Sequence, residues 1–80
     1  KNVLVKSFYW IPKKPNQKEF DCFVKVRYRQ PDQKAHIIIN DDESVSISFE
    51  VPQRAVTAGQ YAVLYTQTDC LGGGVIDSAC

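Results

Sequence analysis

Methionine is absent from this chain, tryptophan occurs once, and a single histidine offers the only imidazole. The missing methionine suits a segment of a longer polypeptide. Long apolar runs are missing too: every uncharged apolar stretch falls far short of the ~20 residues that a membrane helix needs. The chain opens Lys1-Asn2-Val3 and enters a strand-like pattern at once, so no secretory signal is recognisable. Cysteine is sparse and odd in number. Cys22, Cys70 and Cys80 sit at spacings that fit neither a zinc ribbon nor a secreted disulfide framework. The net charge of +1 excludes a uniformly basic nucleic-acid wrapper. With 80 residues the chain makes one domain, burying roughly 60–65% of the surface its unfolded form exposes. That leaves little room for a deep active site.

What is present is period-two alternation, the signature of half-buried strands. Val45, Ile47, Phe49 and Val51 alternate with Ser46, Ser48 and Glu50. Cys22, Val24, Val26 and Tyr28 alternate with Phe23, Lys25, Arg27 and Arg29. Further strands are expected over 4–10, 35–39, 61–65 and 70–76, with the Ile37-Ile38-Ile39 run suiting burial on both faces. No window repeats at helical spacing. Turn chemistry separates the runs: Pro12 to Glu19, Gln30 to Gln33, Asn40 to Glu43, Pro52 to Gln60 and Thr66 to Asp69. The expected fold is all-β, a small six-stranded antiparallel barrel spanning residues 1–80 as a single domain.

Charge is unevenly placed along the chain. Residues 1–34 hold nine of the ten Lys and Arg residues against three acids; residues 35–80 hold Arg54 against six acids. Lys25, Arg27 and Arg29 fall on one strand face at about 6.8 Å intervals, near the phosphate repeat of an extended RNA strand, with Phe23 or Tyr28 available to stack. The competing reading is a solvated face that discourages edge pairing. Gly72-Gly73-Gly74 resembles a phosphate loop only superficially, because no helix follows to converge its N–H groups. A bent or bulged strand accounts for it better. Asp41-Asp42-Glu43 lacks the alternating ligands of a calcium loop and reads as a solvated turn. Cys22 reads as a small buried hydrophobe, His36 as a strand residue, and Phe8-Tyr9-Trp10 as a core anchor. No catalytic set and no metal site is expected in this domain.

Three stretches together resemble a known family. Phe8-Tyr9-Trp10-Ile11 is followed by Val24-Lys25-Val26-Arg27-Tyr28-Arg29-Gln30. The segment from Phe49 through Pro52-Gln53-Arg54-Ala55-Val56-Thr57-Ala58-Gly59-Gln60 runs on to Tyr65, and Cys70-Leu71-Gly72-Gly73-Gly74-Val75-Ile76 ends the match. This is similar to the C-terminal β-barrel domain of the tRNA-specific 2-thiouridylases. The resemblance implies a fragment of a larger multidomain, ATP-dependent tRNA-uridine 2-sulfurtransferase. ATP would be used by the parent's N-terminal domain, through a Ser-Gly-Gly-x-Asp-Ser loop that does not map here, and no cofactor is expected in this domain. The implied partners are tRNA through its anticodon arm, the upstream domains of the same polypeptide and a sulfur-donor protein for the parent, with no membrane. Lys25, Arg27, Arg29 and Arg54 become the expected RNA-binding residues. The alternative is a structural barrel that stabilises the catalytic domains without touching RNA. A cytoplasmic location is implied, or a mitochondrial one for an organellar member. Ala58 stands where the family motif commonly has proline, which removes local rigidity.

Overall fold

The structure, a computed structural model, describes residues 2–11, 13–26, 33–51 and 56–79. Eight strand segments fall in these residues, and no helix does. They are β1 (Asn2–Val5), β2 (Phe8–Trp10), β3 (Glu19–Lys25), β4 (Gln33–Ile39), β5 (Val45–Phe49), β6 (Tyr61–Tyr65), β7 (Cys70–Val75) and β8 (Ser78–Ala79). All pairings are antiparallel, in the order β2-β7-β6-β3-β4-β5-β1-β8.

Eight segments still make the six expected strands, because the first and last are each broken once. Leu4 pairs with Ser78 and Phe8 with Gly74, so β1–β8 and β2–β7 lie on one ladder in one register. The ladder opens where the polar pair Lys6-Ser7 interrupts the apolar run. There the Lys6 N–H is diverted to the Asp77 carboxylate at 2.5 Å, while the Asp77 N–H donates to the Leu4 carbonyl at 2.8 Å. Ile76 turns away and exchanges hydrogen bonds with Gly59 and Gln60. Since β1 also pairs with β5 and β7 with β6, the bent first strand joins both ends of the sheet and curls it into a barrel. Closure of this kind removes the exposed edges that invite aggregation.

Alternation then fills the interior. Val3, Ile47, Ile37 and Phe20 form one inward row across β1, β5, β4 and β3; Phe49, Ala35 and Cys22 form the next. Ile37, Ile47, Leu64, Ile76, Val5, Val24 and Val45 are fully buried. The Ile37-Ile38-Ile39 run is corrected: Ile38 faces outward and is 37% exposed. An antiparallel barrel wall buries only its inner face, so period two overrules composition here. The glycine run sits at the tightest part of the wall, and the expected irregularity is present. Leu64 pairs with Gly72 but Tyr65 with Cys70, leaving Leu71 as the extra residue of a bulge.

The two charged halves of the sequence interleave in space. Lys14 and Lys18, from the loop before β3, pair with Glu43 at 2.8 Å and Asp41 at 3.3 Å in the β4–β5 turn. Exposed pairs like these contribute about 0–1 kcal/mol each, yet they partly cancel the acidic turn. That turn is built locally. The Asp42 carboxylate accepts from the Ser44 hydroxyl at 2.6 Å and its N–H at 3.0 Å. The Ser44 hydroxyl foremost, then its N–H, holds the Asp42 carboxyl below its ordinary range. Glu43 takes the left-handed conformation, φ 74°, that closes the turn.

Candidate functional site

Of the four expected RNA-binding residues, Lys25 lies at the end of β3 on the outward side, between inward Val24 and Val26. Arg27, Arg29 and Arg54 lie outside the described residues, as do Gln30, Pro31 and Asp32 of the expected turn and Pro52 to Ala55. The outward positions of β3 before Lys25 are Glu19, Asp21 and Phe23, so its neighbourhood is acidic at one end and aromatic in the middle.

Lys25 also ends a row that spacing along one strand does not reveal. Lys25 pairs with Val63, Val63 with Gly73, and Gly73 with Tyr9. Three strand steps of about 4.8 Å put the ends of this row some ~14 Å apart. Tyr9 is 72% exposed, and the neighbouring Tyr61 and Val75, which pair with each other, are 52% and 51% exposed. Tyr61 lays its ring over Gly73: a Cβ built on that glycine would fall 2.7 Å from the ring. The core-anchor reading of Phe8-Tyr9-Trp10 thus holds for its two ends only. Phe8 and Trp10 pack against the core with ring centroids 4.2 Å apart, and Trp10 reaches Phe20 at 6.4 Å; Tyr9 faces out.

Gly72, Gly73 and Gly74 are paired on both sides, with β2 and β6. Their backbone donors belong to a sheet wall and form no cradle, and the Asp77 carboxylate accepts the Lys6 N–H. The run is a paired sheet segment, not a phosphate loop opening a helix.

In sequence His36 is an isolated strand residue; register gives it neighbours. Asp21 is its direct partner across β3–β4. Its Nδ1 lies 2.6 Å from Asp21 Oδ1 and its Nε2 2.5 Å from Glu19 Oε2. Two carboxylate acceptors on two ring nitrogens favour the imidazolium, whose N–H groups both donate. The hydrogen bond to Asp21, then that to Glu19, raises the His36 pKa above 6.5. A folded-state pKa raised above the unfolded value stabilises the fold fully below the unfolded value and ceases to do so as pH climbs through the folded one. A His36→Ala variant is therefore expected to melt below the parent chain at pH 6. The gap should narrow as pH rises above 6.5. Thermal melts across pH check this; a gap that widens with pH would contradict it.

The same face supports a groove of about 530 Å³ bounded by Asp21, Phe23, Lys34, His36, Ser48, Phe49 and Glu50. Its cations and acids offset one another. Cys22 lies beneath, on the inner side, buried. Burial, and secondarily the Asp21 charge, pushes its thiol up to about 12, far from the thiolate a nucleophile requires. Cys70 is exposed at the start of β7. In a chain carrying Cys80→Ser, one thiol should react promptly with a maleimide and one only after unfolding. Peptide mapping should place the fast label on Cys70; fast labelling of Cys22 would contradict its buried setting.

Comparison with known proteins agrees with this fold. A family model described as the aminomethyltransferase beta-barrel domain matches residues 1–76. The tRNA-specific 2-thiouridylase MnmA of Tolumonas auensis is 43% identical over 94% of this chain and 20% of its own length. The corresponding protein of Xanthomonas axonopodis pv. citri is 48% identical over 85% of this chain and 18% of its own; that of Xanthomonas campestris pv. campestris is 46% identical over the same shares. The chain spans about one fifth of the length of these relatives. It belongs to the aminomethyltransferase β-barrel domain family, in the form found within tRNA-specific 2-thiouridylases.

Proposed function

We propose that this barrel is the C-terminal accessory domain of an enzyme that replaces the 2-oxygen of the tRNA wobble uridine with sulfur, and that it helps to position the anticodon arm. The observation that carries the reading is the 43% identity over 94% of the chain to a tRNA-specific 2-thiouridylase. The outward setting of Lys25, ahead of Arg27 and Arg29 in sequence, supports the RNA contact. In this reading ATP and the sulfur-donor protein act on upstream domains in the cytoplasm. This chain contributes cations that hold phosphates and leaves the chemistry to others.

The test is binding of the 80-residue chain to an anticodon stem-loop, titrated with salt. If Lys25, Arg27, Arg29 and Arg54 each neutralise one phosphate, log K should fall against log salt with a slope of about −3. Arg27→Ala with Arg29→Ala should flatten that slope by about 1.5 to 2. Salt-independent binding, or an unchanged slope in the double variant, would overturn the reading.

A further inference from the structure

The outside of this barrel is two-sided. On β4, β5 and β1 the outward positions are mostly polar, Lys34, His36, Ser46, Ser48 and Asn2 beside the single row of Leu4 and Ile38, as expected of a solvated antiparallel wall. On β2, β7, β6 and the paired end of β3 they are Tyr9, Val75, Tyr61, Val63, Tyr65, Phe23 and Cys70, with Lys25, at the β3 rim of the patch, the one charged side chain among the described residues there. Neighbouring strands carry these side chains in register, so they form one continuous patch. Scattered apolar residues on a surface are ordinary; a contiguous patch with a polar rim marks an interaction site.

We infer that this apolar half is the surface by which the barrel seats on the remainder of its own polypeptide. The inference rests on the reading above that the chain is a domain of a larger enzyme. Two observations choose the occupant. The relatives are about five times longer than this chain, since it covers 20% of one and 18% of another. A large covalent neighbour is therefore at hand, at an effective concentration that no diffusing partner matches. The patch chemistry also suits protein better than RNA. Depletion of charge with enrichment in tyrosine is the composition of an interface core, whereas a phosphate-binding surface gathers cations. The glycine run serves the same end. Because Gly73 has no Cβ, the Tyr61 ring lies down on the wall and presents a flat aromatic face. Seating by this side would leave the groove beside His36 and the Lys14–Lys18 loop in solvent.

The experiment is hydroxyl-radical footprinting of tyrosines in the complete parent polypeptide and in the 80-residue chain. Tyr9 and Tyr61 are expected to label several-fold more slowly in the parent, without tRNA present. Val75→Lys in the parent should restore their labelling and hasten proteolytic release of the barrel, while circular dichroism of the 80-residue Val75→Lys chain stays that of a folded barrel. Equal labelling in parent and isolated chain would overturn the inference. So would protection that appears only on adding tRNA, which would make the patch an RNA contact, or protection of the isolated chain that grows with its concentration, which would make it a contact between copies. Thiolation by the parent, assayed separately, reports on the underlying reading: protected tyrosines in a parent inactive on tRNA would leave the seating intact and remove the proposed activity.

Discussion

Gly72→Ala is expected to remove about half of the stability of this barrel. A Cβ at that position would lie 2.1 Å from the Tyr9 carbonyl oxygen and 2.9 Å from the Phe8 ring, and the backbone φ of +140° is one that side chains rarely adopt. Backbone cannot retreat from the clash without opening the β2–β7 ladder that closes the barrel. Overpacking of this kind costs about 1–3 kcal/mol, and forcing a side chain into such a conformation about 1–3 kcal/mol more. A chain of this size holds only roughly 4–12 kcal/mol in total. The combined loss of about 2–6 kcal/mol corresponds to a fall in Tm of roughly 10–45 °C. Gly59→Ala supplies the control. Gly59 has a φ of +95° with open space around it, so only conformational strain, about 1–2 kcal/mol, should appear. Urea or thermal denaturation of the two variants checks the pair. Equal, small losses would show that the wall near Gly72 can yield.

That contrast also shows how much the sequence could tell. Period-two alternation was enough to place all six strands and nearly all inward residues, since Val45-Ile47-Phe49 or Cys22-Val24 can face only one way. The bulge at Leu71 was legible from the glycine run beside it. Register was not legible, because it depends on which strands meet and at what offset. The His36 clamp needs Asp21 and Glu19 brought across from β3, and the apolar patch needs β2, β7, β6 and β3 side by side. The first strand hid its kink for a similar reason: Lys6-Ser7 looks like an ordinary polar step until Asp77, 71 residues away in sequence, takes the Lys6 N–H. Of the ridge Lys25-Arg27-Arg29 only Lys25 is among the described residues, and the outward positions before it, Glu19, Asp21 and Phe23, become its neighbours only through the strand's alternation.

The second large effect concerns tRNA. If the barrel positions the anticodon arm, replacing Lys25, Arg27, Arg29 and Arg54 together with alanine in the parent enzyme should weaken productive tRNA binding on the order of 10²-fold, from about 0.7 kcal/mol per exposed cation. The loss should be electrostatic, largest at low salt, and compressed as ionic strength rises. Contacts that hold substrate equally in the ground and transition states raise KM and leave kcat alone. Because these cations are remote from the ATP-using domain in the proposed arrangement, the KM for ATP should not move.

Steady-state thiolation of tRNA by the parent enzyme and by this four-cation variant is therefore the most direct test. The expected result is a KM for tRNA raised by about two orders of magnitude at low salt, with kcat and the KM for ATP unchanged. An unchanged KM for tRNA in a folded variant would contradict the account and leave the barrel a purely structural domain.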